Sequence, residues 1–155
     1  MQSQSAYEFY ACRHLDIEWD ALDDWTQQQL RDVVSACSQR GWSLLKVSAA
    51  QSRILPPVLA VWHVTFQDSE VKCGWVITGD LPVDVLVKPQ VTHARDALCA
   101  FSRQYLHKAH QLRANQMKDE IDLDQLKEQQ RMEKWVRSAA DLLVLHHEQC
   151  LWEEA

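Results

Sequence analysis

The chain has 155 residues, 46% of them apolar and 25% charged, with only three Gly and four Pro. That size and balance fit one globular domain with a proper core and exclude a disordered chain. A formal charge of −6 argues against a general affinity for nucleic acid or for an anionic membrane.

The opening residues, Met1 to Glu8, lack the basic and apolar regions of a secretory signal, and no apolar run reaches the length that spans a bilayer. Five Cys with no Cys-x-x-Cys spacing read as reduced thiols. The expected location is therefore the cytoplasm, with no membrane partner. Seven Trp is a high count, and each reads first as a core or boundary residue whose indole N–H needs a partner.

In chain order, Ser5 caps a short expected helix over Ala6–His14, and an acidic link follows through Asp16, Glu18, Asp20, Asp23 and Asp24. Those carboxylates favour the positive end of the next helix. That helix is expected from about Ala21 to Arg40, with Leu22, Trp25, Val33, Val34 and Cys37 on one face and Gly41 as its stop.

Three strands come next: Trp42–Ser48, Val58–Phe66 and Gly74–Thr78. The second is apolar on both faces, which marks a central strand. Pro56 and Pro57 stand ahead of it, and a polar hairpin loop, Gln67–Cys73, leads to the third. Val85–Lys88 adds a short edge strand. Thr92 then caps a helix over His93–Asn115 with a stripe of Ala94, Ala97, Leu98, Phe101, Tyr105, Ala109 and Leu112. Residues 116–131 form a polar bridge. With the later stripe of Met132, Trp135, Val136, Ala139, Leu142, Leu143 and His146 they give either one helix of about 25 residues, whose first half projects, or two helices that break near Gln129. The order implies an antiparallel sheet of three to four strands with an N-terminal helix and two or three C-terminal helices packed on it, an α+β domain over 1–155.

The most informative stretch is the turn after the third strand, where Asp80 and Asp84 flank Leu81-Pro82-Val83. Two carboxylates there can bind a metal, act as acid and base, or receive a basic partner. Gly, Asp and Pro also mark a purely structural turn. Arg53 is a candidate brace for either aspartate, or a ligand contact. His107 and His110 sit among Arg95, Arg103 and Arg113 on a solvated face that disfavours a metal, and His146 reads as a core histidine near Cys150. Residues 88–118 hold six basic residues against Asp96, while the first thirty hold six acidic residues against Arg13. That asymmetry suits a self-complementary homodimer or two solvated faces better than a nucleic-acid site. No phosphate loop, dinucleotide fingerprint, nucleophile elbow or zinc-protease motif is present.

Arg53, Leu55, Trp62, the run Trp75-Val-Ile-Thr-Gly-Asp-Leu-Pro82, Asp84, Ala94-Arg-Asp-Ala97, Phe101-Ser102 and Leu151-Trp152 carry a resemblance. The chain resembles an uncharacterised bacterial family, mostly gammaproteobacterial, known as a domain of unknown function. It departs from that pattern at Thr78 and Val83, where the pattern has Ser and Thr. The resemblance implies a small cytoplasmic protein and carries over no activity. The functional expectation is a non-enzymatic protein-binding or regulatory module without cofactor or metal, using Arg53, Trp62, Trp75, Asp80 and Asp84 to hold a protein or peptide. The alternative is a small hydrolase or metal-dependent enzyme built on the Asp80/Asp84 turn.

Overall fold

A computed structural model describes residues 22–115, 123–148 and 152. The expected Ser5-capped helix, most of the acidic link, residues 116–122 and Cys150 lie outside the described residues.

Helix α1 spans Asp24–Gln39. Asp23 caps it by accepting the Thr26 N–H at 2.7 Å, a bond that holds its carboxyl below the usual carboxylate range. At the other end Gly41 takes φ +74°. The Gly41 N–H reaches the Ser38 carbonyl and the Trp42 N–H reaches the Cys37 carbonyl, both at 3.0 Å. Those two bonds are the paired closure that a left-handed glycine makes possible at a helix end. The apolar stripe anticipated from spacing, with Leu30 added, is the face the helix buries.

Four antiparallel strands follow in chain order across the sheet: β1 Ser43–Leu55, β2 Leu59–Gln67, β3 Val71–Gly79 and β4 Asp84–Leu86. With α1 before the sheet and two helices after it, this is the expected α+β architecture. Alternate residues of β2 (Ala60, Trp62, Val64 and Phe66) join Leu30, Val33 and Val34 of α1 in one core. Leu59 and Val61, on the other parity, are fully buried too, so β2 is an interior strand apolar on both faces.

Strand β1 runs seven residues further than its alternation suggests. Between the pairs Ser48↔His63 and Arg53↔Val61 it advances five positions while β2 advances two, so Ala49–Ser52 bulge out of the ladder. The Ser52 hydroxyl then accepts the His63 N–H at 2.9 Å, taking the place of a ladder carbonyl. Pro56 and Pro57, joined by a cis peptide bond, sit in the β1–β2 turn, which Val58 N–H closes onto the Leu55 carbonyl. The β2–β3 loop is shorter than expected. Pairing continues to Gln67↔Val71 and leaves only Asp68–Glu70 to turn, because ladder bonds need no apolar side chains.

The chain falls into two compact units, the second beginning at Leu98 in the first turns of the next helix. Helix α2 spans Ala94–Asn115 and α3 spans Leu123–His147, one unbroken helix of 25 residues. His93, not Thr92, serves the start of α2: its Nδ1 accepts the Arg95 N–H at 3.0 Å. Within the second unit, Tyr105 meets Trp135 edge to face at 4.7 Å, and the buried Ser102 hydroxyl donates to the Ala139 carbonyl at 2.9 Å. A hydroxyl so enclosed is a helix-to-helix tie rather than a nucleophile.

Candidate functional site at the acidic turn

The turn between β3 and β4 is shaped by close backbone approach. Gly79 takes φ +132°, and a Cβ there would sit 2.4 Å from the Val58 carbonyl oxygen. Only glycine lets β3 pass the β1–β2 turn this closely. The next amide, of Asp80, donates to that same Val58 carbonyl at 2.9 Å, leaving the Asp80 side chain exposed. Leu81 folds inward, Val83 is 42% exposed and Asp84 is only 1% exposed. The two aspartates therefore live in different environments: one faces solvent, the other is enclosed.

Asp84 is held by Arg40, whose guanidinium lies 3.5 Å from its Oδ1 with the Arg40 side chain 44% exposed. Arg40 is the C-cap of α1, where the helix dipole favours a cation, and its guanidinium also lies over the Trp42 ring at 5.8 Å. Trp42 in turn stacks on Phe66 at 3.9 Å. The ion pair thus ties the end of α1 to the edge of the sheet. Arg53, the cation that sequence offered for this role, stands opposite Val61. The row continues through Ile77 to Asp84. Three inter-strand steps put its backbone about 14 Å from Asp84.

Beside the ion pair is a groove of about 300 Å³, lined by Asp32, Ser35, Gln39 and Arg40 of α1 and by Val83–Val85 of the turn. Asp32 is the unusual group. Burial raises its carboxyl pKa, and neither the Gln28 amide, 3.2 Å away, nor neighbouring Arg31 offsets that. Its ionised form is short of solvation and would gain from a cation brought to the groove.

A family model described as a domain of unknown function (DUF4826) matches residues 20–152. The chain belongs to the DUF4826 family. The match agrees with the resemblance to an uncharacterised domain family. No curated protein matches the chain, and no solved structure does.

Of the DUF4826 residues singled out from sequence, the structure brings only Asp84 to the groove wall, with Asp80 at the adjoining turn. Trp62 is 1% exposed, sits in the α1-facing core and donates its indole N–H to the buried Thr78 hydroxyl at 3.1 Å. Trp75 is equally enclosed, and its indole N–H donates to the Val91 carbonyl at 3.0 Å. Both indoles are satisfied inside the protein, so their position is that of core residues rather than of surface contacts. Sequence reasoning missed Asp32 and Arg40. Arg40 carried a signal, a cation at the helix C-cap just before Gly41, but its partner lies 44 positions away and only the fold joins them.

Among the described residues no helix is long and apolar enough to cross a membrane, and no group of three or more His, Cys, Asp or Glu is placed to hold a metal.

Proposed function

We propose that this DUF4826 chain is a small bacterial, cytoplasmic, non-enzymatic module that binds a protein partner through a basic segment seated in the α1–turn groove. The carrying observation is Asp32, an under-solvated carboxylate at the wall of an open groove. A Lys or Arg from a partner would supply the charge that burial withholds, and exposed Asp80 extends the acidic surface along the turn. Val83 offers an exposed apolar contact beside it, and half-exposed Arg40, fixed by Asp84 and Trp42, is a preorganised side chain of the type that dominates interfaces. Asp84 serves by rigidity rather than by contact.

The hydrolase or metal-enzyme reading loses support on the same geometry. Its second carboxylate faces a guanidinium, whose positive charge competes with a metal ion.

The test is affinity capture from the native host with wild-type, Asp80→Ala, Asp32→Asn and Val83→Ser baits, followed by calorimetry on the captured protein. Asp32→Asn and Val83→Ser are expected to weaken binding about tenfold or more, the worth of one interfacial contact of about 1.4 kcal/mol. Rising salt should weaken the wild type more than Asp32→Asn. Equal affinities for all four baits would remove the groove as the contact. Sedimentation at low and high salt separates a second copy of the chain from a different protein as the partner.

A further inference from the structure

A second cavity, of about 330 Å³, lies on the sheet away from the Asp32 groove residues. Gln51, His63, Cys73, Trp75, Lys88 and Thr92 contribute to its lining. Three devices build it. The β1 bulge brings Gln51, the β2–β3 ladder brings His63, Cys73 and Trp75, and the loop after β4 brings Lys88 and Thr92. The bond from the Trp75 indole to the Val91 carbonyl fixes that loop as a wall.

The register opposes His63 to Trp75 and Thr65 to Cys73. His63 and Cys73 are therefore diagonal neighbours on one face of the sheet, about 7 Å apart at their Cβ atoms. The His63 ring meets Trp75 edge to face at 4.9 Å, which fixes the imidazole plane. Cys73 is exposed, and its sulfur lies 3.6 Å from the Thr65 hydroxyl, a group able to donate to a thiolate. Cys37 is the contrast: it lies in the core and burial pushes its thiol up to about 11. Burial first, and Lys46 second, hold His63 below the ordinary histidine range, so near pH 7 it is a neutral base. The charged and titratable groups about it are Lys46 on β1, Cys73 on β3 and Lys88 in the loop.

We propose that this cavity is a thiol-exchange site, where Cys73 forms a mixed disulfide with a small anionic disulfide whose carboxylate lies against Lys88. The Cys73 sulfur attacks one sulfur of the small molecule. A bond forms between those two sulfurs, the small molecule's own S–S bond breaks, and its other half leaves as a thiolate. The Cys73 proton passes to His63 and from there to the departing thiolate. Cys73 ends oxidised, as one half of the mixed disulfide, and the released half ends reduced, as a thiol. The residues are not those of the Asp32 groove, so the exchange stands or falls separately from partner binding.

The test uses the full chain with two probes, the dianionic aryl disulfide dithiobis(nitrobenzoate) and the uncharged dithiodipyridine. The released thiol gives the rate and peptide mass mapping gives the cysteine labelled. Cys73 is expected to be modified before Cys99 and before any other cysteine, and Cys73→Ser removes that fast phase. Lys88→Ala slows the anionic probe about threefold relative to the neutral one, the worth of one charge a few ångström away in water. His63→Gln slows both probes about tenfold at pH 7 and steepens the rise of rate with pH. Thermal melts show whether His63→Gln is folded, and Lys88→Ala, at an exposed position, supplies an independent arm. The proposal is overturned if Cys73 reacts no faster than the same cysteine in the urea-unfolded chain. It is equally overturned if neither variant changes the rate or its charge preference.

Discussion

Thr78 and Trp62 show how one side-chain bond sets a residue's role. Thr78 is fully buried on β3, and its hydroxyl is the acceptor for the buried Trp62 indole. Thr78→Val should cost about 1–3 kcal/mol by leaving that N–H unmatched. Trp62→Phe and Thr78→Val combined should cost less than the sum of the two, measured by denaturant unfolding in a double-mutant cycle. Strict additivity would mean the bond carries no weight. His63 supports a second prediction at this scale. Its folded pKa is depressed, so the unfolded chain takes up the proton more readily. Its contribution to stability is present above the unfolded value near 6.5 and fades as pH falls from there through the lower folded value. His63→Gln should flatten that part of the stability–pH curve, with unfolding followed between pH 7.5 and 5.

At the scale of elements, the ends of the secondary structure matter more than their middles. Helix α1 is bounded by an Asp23 cap and a Gly41 stop, both made by contacts within a few residues. The Gly41 stop was legible in sequence because its geometry repeats wherever a glycine follows a helix, whereas the start falls at Asp24 and not near Ala21, since Asp23 caps the helix instead of joining it. Strand β1 was not legible beyond Ser48. Its extension to Leu55 depends on pairing with β2, and the bulge at Ala49–Ser52 erases the alternation that announces a strand. The cap of α2 lies one position from the expected Thr92, since a ring nitrogen of histidine accepts an amide as a threonine hydroxyl does. Gly79 is more tightly constrained than Gly74, the other glycine of the sheet. Gly79→Ala should destabilise by about 3 kcal/mol or more, because its Cβ would collide with the Val58 carbonyl and its φ is one that side chains avoid. Circular dichroism melts would register a large fall. Gly41→Ala, with open space around it, should cost only about 1 kcal/mol.

For the whole molecule, the groove sets stability against function. Asp32 has a pKa raised by burial, so its ionised form costs stability at neutral pH, a cost relieved as pH falls through that raised value. Asp32→Asn is therefore expected to leave the melting temperature at pH 7 unchanged or higher while weakening partner binding. Loss of both stability and binding would instead make Asp32 structural. The turn divides similarly. Asp80→Ala, at an exposed site, should change stability by no more than about 0.5 kcal/mol, while Asp84→Ala, which strands half-exposed Arg40 and opens a buried site, should cost about 2 kcal/mol.

From its sequence alone the protein is an α+β chain with a glycine-stopped helix ahead of the sheet, an interior strand apolar on both faces, and a Gly-Asp-Leu-Pro turn at a strand end. These follow from side-chain periodicity and from bonds between near neighbours, which the order of residues encodes directly. The tertiary structure alone decided which groups pair with the Trp62 and Trp75 indoles, that Asp84 is enclosed by Arg40 while Asp80 is not, and that Asp32 and His63 line cavities. Each of those outcomes depends on which distant segments pack together, because burial and charge pairing are properties of the assembled surface and not of any window of the chain.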